Sequence, residues 1–576
     1  MSRSNIVIGP GAVRGGKGRP LYRGLLVCFT IIFTASIALL YAYDVRPLAY
    51  FILMTALALI LLFEILFAYR AGDRPGAILV QIMAFTLNLI WGVTLNYYFF
   101  IGRTDTLSHV WWAQSVLDLG HVTDALDVYR PFPLWHILNA AVYQVSGLGG
   151  PISRVLFINC GLVYAVLGTL GIFLLVKKVS GNERLALLSA LFLSFNTTFL
   201  FYGMYSISRS IVMVLFVLLM LLLADRQNGT KQWLAYGLSF AMIVYHTVSS
   251  LFIIPVLLLI YFIQNVFIKT KENPLVSLRF ILLFAGMTFA YWAANANNII
   301  WAITDSVLQS SAGATGLQTS SIYDTPLNEM LNYSQYSFFI LFILAGALLL
   351  FRIRYWDVRL RVLAVTAVAM IPLSFPGPLF LLNTLASTVS IGRFEEYTFP
   401  FMVVTAAAGF YLLYLRKSKL ITLSILLLLV AMVFLSLTND FVASDNPLVK
   451  RPFYTYYLQG SEVTGLDRVA NATDGSVMSD YIASRYYLSS PYLDKTHILE
   501  VDKASGELLK GNVTDVILLR DGELGRRPLK LYTSTSGFIP GPNWLALDYY
   551  YRDDPAYGSL GNKNRIYGSG SISAYS

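Results

Sequence analysis

The sequence predicts an all-α polytopic membrane bundle followed by a small extracytoplasmic α/β domain, and three observations predict it. Hydrophobic residues make up 56% of the 576 and charged ones only 13%, with a mean hydropathy of +0.62, whereas soluble domains carry about 25% charged residues. Apolar runs long enough to cross a bilayer, about 20 residues each, recur about thirteen times before residue 439. Beyond it the composition becomes that of a soluble module, long enough for a domain.

The expected spans run approximately over 24–43, 47–69, 76–101, 152–176, 184–204, 208–224, 232–249, 251–268, 279–301, 335–351, 358–376, 396–415 and 419–438. They divide the chain into a cytoplasmic basic tail (1–23), an N-terminal transmembrane hairpin (24–75), a transmembrane core (76–438) with an outer loop at 102–151, and an extracytoplasmic domain (439–576). Arg3, Arg14, Lys17, Arg19 and Arg23 precede the first run, which reads as a signal anchor. Gly11 to Gly18 approaches a phosphate-binding loop, but Gly18 stands where the motif needs Ser or Thr, and no soluble helix follows.

Charge fixes the orientation. Basic residues cluster at Lys177/Lys178/Arg184, Lys269/Lys271/Arg279, Arg352/Arg354/Arg359/Arg361 and Arg416/Lys417/Lys419, all on the side of the N-terminus. The opposite loops carry few: Arg46, Arg103, Arg130, Arg209 and Arg393. The positive-inside rule therefore predicts a multi-pass protein with its N-terminus cytoplasmic and its C-terminal domain outside. The net charge of +10 is no nucleic-acid signal, because the excess lies in the membrane part and the tail is nearly balanced. Cys28 and Cys160 sit far apart in apolar runs, so neither a disulfide framework nor a thiolate metal site is indicated.

The outer loop is the organising stretch. It holds two expected interfacial helices: 105–119, and 133–146 with Pro133 at its start and Gly147 past its end. Asp105 and His109 are four residues apart, so a helix places them on one face. Asp105 could equally be a helix cap, and an interfacial histidine could serve only headgroups. His121 and His136 read as structural. Trp111, Trp112 and the tyrosines around 454–457 are either sugar platforms or interfacial anchors. Ionisable groups near the outer ends of later spans are functional candidates: Arg209, His246 and Arg393, the last followed by Glu395 and Glu396, one of which is expected to pair with it. The competing account is arginines snorkelling to headgroups.

The stretch 302–334 has the composition of a mobile loop, with Ser310 to Gly316 small and polar. In the tail, Gly475 to Asp480 and Val513 to Arg520 read as turn then strand, and Asn564 to Tyr575 as a hairpin broken by Gly568 and Gly570.

An outer-loop Asp followed by a histidine four residues on, Pro131-Phe132-Pro133-Leu134-Trp135-His136 at the second interfacial helix, and Arg393-Phe394-Glu395-Glu396-Tyr397 before a late span resemble the GT-C glycosyltransferases. The nearest likeness is to protein O-mannosyltransferase-like members of archaea and bacteria, over roughly 76–440. The Trp-Trp-Asp signature of the related oligosaccharyltransferase catalytic subunit is absent, since Trp111-Trp112 is followed by Ala113-Gln114, and its second-loop Asp-x-Asp is missing too. The resemblance implies transfer of a hexosyl or pentosyl group from a polyprenyl- or dolichyl-phosphate donor to a glycan, lipid or protein acceptor. It implies that Asp105 is the base or holds a divalent metal, with His109 as its companion. Arg209, Arg393 and His246 are then the candidates for the donor phosphate, and Glu395, Glu396 and Trp112 further site candidates. A transporter of a lipid-linked or polar substrate and a non-catalytic membrane assembly protein are the rival classes. Spans that read as smooth, with charges at the rim, count against the first.

Overall fold

The computed structural model describes residues 18–69, 75–97, 99–101, 105–225, 229–269, 274–298, 300–301, 326–352, 357–374, 391–416, 418–439, 442, 448, 456–487, 492, 495–502, 505–509, 515–534 and 547–576. The basic residues before Gly18, Arg103, the polar stretch 310–316 and Tyr454 lie outside the described residues.

All thirteen expected segments contain helix. In order these are α1 (Gly18–Ala42), α2 (Leu48–Ala68), α3 (Gly76–Trp91), then after the outer loop's α4 (Asp105–Leu119) and α5 (Leu134–Ser146), α6 (Ile152–Ser180), α7 (Glu183–Ser194), α8 (Thr197–Met204), α9 (Ser208–Leu223), α10 (Gly229–Tyr245), α11 (Ser249–Phe267), α12 (Leu278–Asn295), α13 (Pro326–Arg352), α14 (Val358–Ser374), α15 (Glu395–Tyr414) and α16 (Lys419–Leu437). Among the described residues, eight helices are long and apolar enough to cross a membrane, and α7 with α8, bent by 59°, would make a ninth. The helices α3 and α9 are shorter apolar ones, while α10 and α14 have 17 residues each.

Three expectations change. The helix expected over 76–101 is α3 to Trp91, continues past Gly92, which keeps helical φ/ψ, as a short turn at Val93–Asn96, and ends where Tyr97 turns extended. The aromatic run after it instead forms a strand, β1 (Phe99–Ile101). Residues 326–334, read as part of a loop, open α13, with Pro326 at the first helical position. Nor are the spans smooth: α7–α8 breaks at Asn196, whose side chain accepts from Phe199 N–H to cap α8, and α2, α6 and α11 contain π-helical turns at 64–68, 163–168 and 263–267.

Helix α15 is the centre, buried over nearly its whole length from Glu396 to Leu412. It crosses α13 at backbone contact. A Cβ on Gly346 would lie 2.1 Å from the Thr405 carbonyl oxygen, and one on Gly409 2.1 Å from that of Phe342. Small residues at a helix crossing let the backbones meet, which is how helices associate in lipid. Replacing Gly346 by Ala must therefore push the helices apart, and we expect about 1–3 kcal/mol of destabilisation from overpacking. A lowered unfolding midpoint in detergent, with Gly24→Ala as an open-space control, checks this.

The tail forms the mixed α/β module that its sequence suggested. It contains β2 (Tyr456–Leu458), α17 (Gly460–Ala472), β3 (Val477–Ser479), α18 (Tyr481–Tyr487), β4 (Thr496–Ile498), β5 (Glu500–Asp502), β6 (Leu508–Leu509), β7 (Val516–Leu519), β8 (Leu529–Ser534), β9 (Leu547–Tyr550), β10 (Arg565–Gly568) and β11 (Ser573–Tyr575). One sheet has the order β10-β11-β7-β3-β4, with β3 parallel to both β4 and β7, and a second runs β6-β5-β8-β9. The expected terminal hairpin is β10 and β11, antiparallel, with Gly570 at φ +80 in its turn. Buried Arg520 ties β7 to the start of α18 through Asp480 (2.8 and 3.2 Å) and to α17 through Glu462 (3.4 Å).

Two contacts place this module at the site end of the bundle. Strand β2 pairs antiparallel with β1, Phe100 opposite Tyr457. Leu107 of α4 is part of the module's hydrophobic core beside Leu458, Val463 and Leu466. Tyr457, a candidate sugar platform in the sequence, is sealed here instead. Its ring stacks on Tyr97 at 4.0 Å, and Arg526 Nη1 donates to its hydroxyl (2.9 Å).

Candidate functional site

Four helix ends meet beneath that module. Helix α4 starts at Asp105, α8 ends just before Tyr205, α9 begins with Arg209 in its first turn, and α15 begins with Glu395 and Glu396, preceded by a 3₁₀ turn carrying Arg393. Acidic residues in the first turns of α4 and α15 suit the positive ends of those helix dipoles. The break between α8 and α9 puts Tyr205 and Arg209 at the same level as both.

Asp105 is solvent-exposed, and the Tyr205 hydroxyl donates to its Oδ2 at 2.7 Å. Asp105 lies in the first helical turn, so its side chain serves a neighbouring span rather than acting only as a cap. Its Oδ1 bonds to no described residue.

Arg209 is 8% exposed and Glu396 2%. Arg209 Nη1 lies 3.2 Å from Glu396 Oε1, the oxygen to which Tyr202 Oη also donates (2.8 Å), and the Tyr202 ring packs against the guanidinium. The expected pairing of a glutamate with Arg393 is thus corrected: Glu396 pairs with Arg209, and Glu395 accepts from Thr198. The reason is reach, since α8 lies alongside the start of α15. Arg209 keeps one edge unused. Its Nε is buried without a partner, and its Nη2 bonds to no described residue. Arg393 is half-buried, with no hydrogen bond or ion pair to another described residue.

His109 does not turn to Asp105. It is buried, with Nδ1 2.9 Å from His136 Nε2, and packs edge-on to Trp112 and Tyr129. Burial first, and then the charge of Arg209, hold its imidazole down at about 3. Burial, and then His109, push His136 well below its ordinary range too. Both rings are neutral at ordinary pH. Tyr129 joins the groups electrostatically: burial raises its phenol, and Arg209, Asp105 and Arg393 all act on it. His246 feels Arg209, Arg393 and His109, and its Nδ1 lies 2.7 Å from Ser249 Oγ. Asp105, His109, Arg209, His246, Arg393, Glu396 and Trp112 therefore surround one region.

His121 is exposed, its Nδ1 2.8 Å from the Leu119 carbonyl oxygen, which agrees with a turn role. His136, read as structural, is in contact with the site. The sequence reading also missed Tyr129, Thr198, Tyr202 and Tyr205. The spacing of Tyr202 and Tyr205, three residues apart and just ahead of Arg209, was an available signal. Among the described residues no three His, Cys, Asp or Glu side chains gather where they could hold a metal ion. Asp105 and His109 do not bond to each other: the first accepts from Tyr205 and the second pairs with His136.

No protein family model matches this chain, and no curated protein matches it in sequence. Among solved structures it is similar to the oligosaccharyltransferase of Archaeoglobus fulgidus in the apo form, with a TM-score of 0.46 and 11% identity over 73% of this chain and 64% of that one. It is similar also to AglB of that organism in complex with an inhibitory peptide and a dolichol-phosphate, with a TM-score of 0.47 and 12% identity over 72% of this chain and 63% of that one. The oligosaccharyltransferase complex with Zn and sulfate gives a TM-score of 0.46 and 12% identity over 82% and 72% of the two chains. The chain spans less than two thirds of the first two structures' length.

Proposed function

We propose that this chain is a membrane glycosyltransferase of GT-C type that moves a sugar from a polyprenyl-phosphate donor to an acceptor hydroxyl at the outer membrane surface. One observation carries the reading. The Nε–Nη2 edge of Arg209, the side-on fork that grips a phosphate with two parallel hydrogen bonds, has no partner among the described residues and lies with Arg393, also unpaired among them, in the region that holds exposed Asp105. A buried guanidinium edge without a partner is costly unless a ligand fills it.

In the proposed reaction Asp105 Oδ1 takes the acceptor's proton while Tyr205 holds Oδ2. The acceptor oxygen bonds to the anomeric carbon, and the carbon–oxygen bond to phosphate breaks with its electron pair on the phosphate. Arg209 and Arg393 stabilise that charge as it grows. Trp112 and Tyr129 offer aromatic faces to the sugar. An O-mannosyltransferase-like specificity is the finer form of this reading, supported by the sequence motifs. Incubating reconstituted protein with a panel of polyprenyl-phosphate sugars tests it: consumption of one of them is expected, and consumption of none would overturn it.

Arg393 should bind donor directly. Its replacement by Ala removes a charge-assisted bond, and donor Kd should rise about tenfold or more. Binding as tight as the parent's would reduce Arg393 to an interfacial anchor.

The site end is the outer face in this reading, with the N-terminus cytoplasmic. Basic side chains crowd the other end, where Lys177 pairs with Glu183 (2.6 Å) and Lys178 with Asp225 (2.9 Å). A reporter fused after Ser576 that works only in the cytoplasm should stay silent, and a signal from it would move Asp105 to the wrong side.

The broken α7–α8 span favours one rival, since transporters build sites from discontinuous helices. Flux of intact lipid-linked sugar across vesicles, with no sugar transferred, would establish that reading instead.

A further inference from the structure

Two neutral imidazoles joined edge to edge share one hydrogen, so the 2.9 Å contact between His109 Nδ1 and His136 Nε2 allows two arrangements. If His109 Nδ1 donates, His136 Nε2 accepts, and both neutral rings carry their hydrogen on Nδ1. The hydrogen of His136 then sits on its Nδ1, which is buried without a partner, as an orphaned N–H. If His136 Nε2 donates, its Nδ1 carries only a lone pair, and His109 carries its hydrogen on Nε2. Orphaned buried N–H groups are the rarer defect. Neutral histidine also intrinsically favours the Nε2–H tautomer, which the second arrangement gives to both rings.

The residues around the pair agree. His136 has no exposed surface and lies on α5, behind His109. Trp112 and Tyr129 contact both rings and fix their planes. His109 Nε2 bonds to no described residue, and the ring is close enough to Arg209 to feel its charge.

We propose that His136 is a positioning residue that donates its Nε2–H to His109 Nδ1, so that His109 presents Nε2–H as a neutral hydrogen-bond donor to an oxygen of the bound phosphosugar. A neutral donor suits a site that already holds two arginines. It stabilises a developing phosphate charge without repelling Arg209, and its hydrogen is in place before the reaction. Which nitrogen of a histidine acts is set by the bond the other one makes. This rests on the transferase reading for the identity of the oxygen, but not for the tautomer.

The test begins with ¹⁵N-histidine spectra of the whole protein in detergent at neutral pH, with His109 and His136 signals assigned by their loss in His109→Gln and His136→Gln. Both rings should carry hydrogen on Nε2, and a His109 bearing it on Nδ1 overturns the proposal. Turnover is then compared in two variants. His136→Gln, whose amide can make the same donation, should stay within a few-fold of the parent. His136→Leu should lose about tenfold to a hundredfold in kcat, the usual cost of removing a group that fixes a functional histidine, with donor Kd little changed. Equal loss in both variants, or none in His136→Leu, overturns it, and the spectrum decides the tautomer even if the Leu variant does not fold. If no polyprenyl-phosphate sugar is consumed by the parent, the transferase reading fails while the spectrum still decides the histidine pair.

Discussion

Asparagine in place of Asp105 should give folded, donor-binding protein with turnover lowered by at least about a hundredfold, the lower end of general-base contributions. The substitution is informative because it preserves everything but the base. Asparagine can still accept the Tyr205 hydroxyl through its side-chain oxygen, as Oδ2 of Asp105 does at 2.7 Å, and it caps a helix start about as well as aspartate. A structural role therefore predicts an unchanged unfolding midpoint and unchanged activity. A base acting only in the transition state predicts loss of kcat with donor affinity intact. Tyr205→Phe separates orientation from basicity, since it frees the carboxylate without removing it, and should cost less than Asp105→Asn. Full activity in Asp105→Asn would end the catalytic assignment and put the transporter or assembly readings ahead.

The bundle was legible because lipid imposes so simple a demand: about 20 apolar residues per crossing, with backbone groups satisfied internally. Length alone could not show where a run is interrupted. The helix of the 76–101 run ends at Asn96, and the aromatics after it enter a strand that pairs with the distant Tyr456–Leu458 segment. Similarly, nothing local to Asn196 says that the α7–α8 run will bend by 59°; the asparagine caps α8, and its capping role competes with its place in an apolar run.

The polar residues divide along the same line. Asp105, Arg209 and Arg393 were noticeable because charge is costly near the membrane, and their types survive any folding. Their partners depend on which helix ends meet. One of the two glutamates after Arg393 was expected to pair with it, while the fold gives Glu396 to Arg209 from a span 187 residues earlier in the chain. His136 looked structural because it sits in an apolar helix, and only the packing of α5 on α4 brings its Nε2 to His109. Tyr202 and Tyr205 were hidden among 37 tyrosines in an aromatic-rich chain.

Arg209 has an observed ion pair and a proposed phosphate role, and three substitutions divide them. Its Nη1 pairs with buried Glu396, and its Nε, buried without a partner among the described residues, belongs to the edge proposed to take phosphate. Arg209→Ala removes both. It leaves Glu396 charged in a buried site with Tyr202 as its remaining donor, and breaking a buried pair from one side costs about 3–5 kcal/mol. Adding Glu396→Gln to that variant removes the stranded charge and should recover most of the stability, while donor binding stays weak. Arg209→Lys keeps a cation within reach of Glu396 but has no planar fork. It should retain most of the parent's stability and bind donor about tenfold or more weakly, the cost of charge-assisted hydrogen bonds. Chemical unfolding in mixed micelles and donor binding, measured on the same four proteins, give both answers. Arg209→Lys binding as the parent does would remove the phosphate role and leave a structural ion pair. Arg209→Ala as stable as the parent would show instead that the ion pair with Glu396 contributes nothing to the fold.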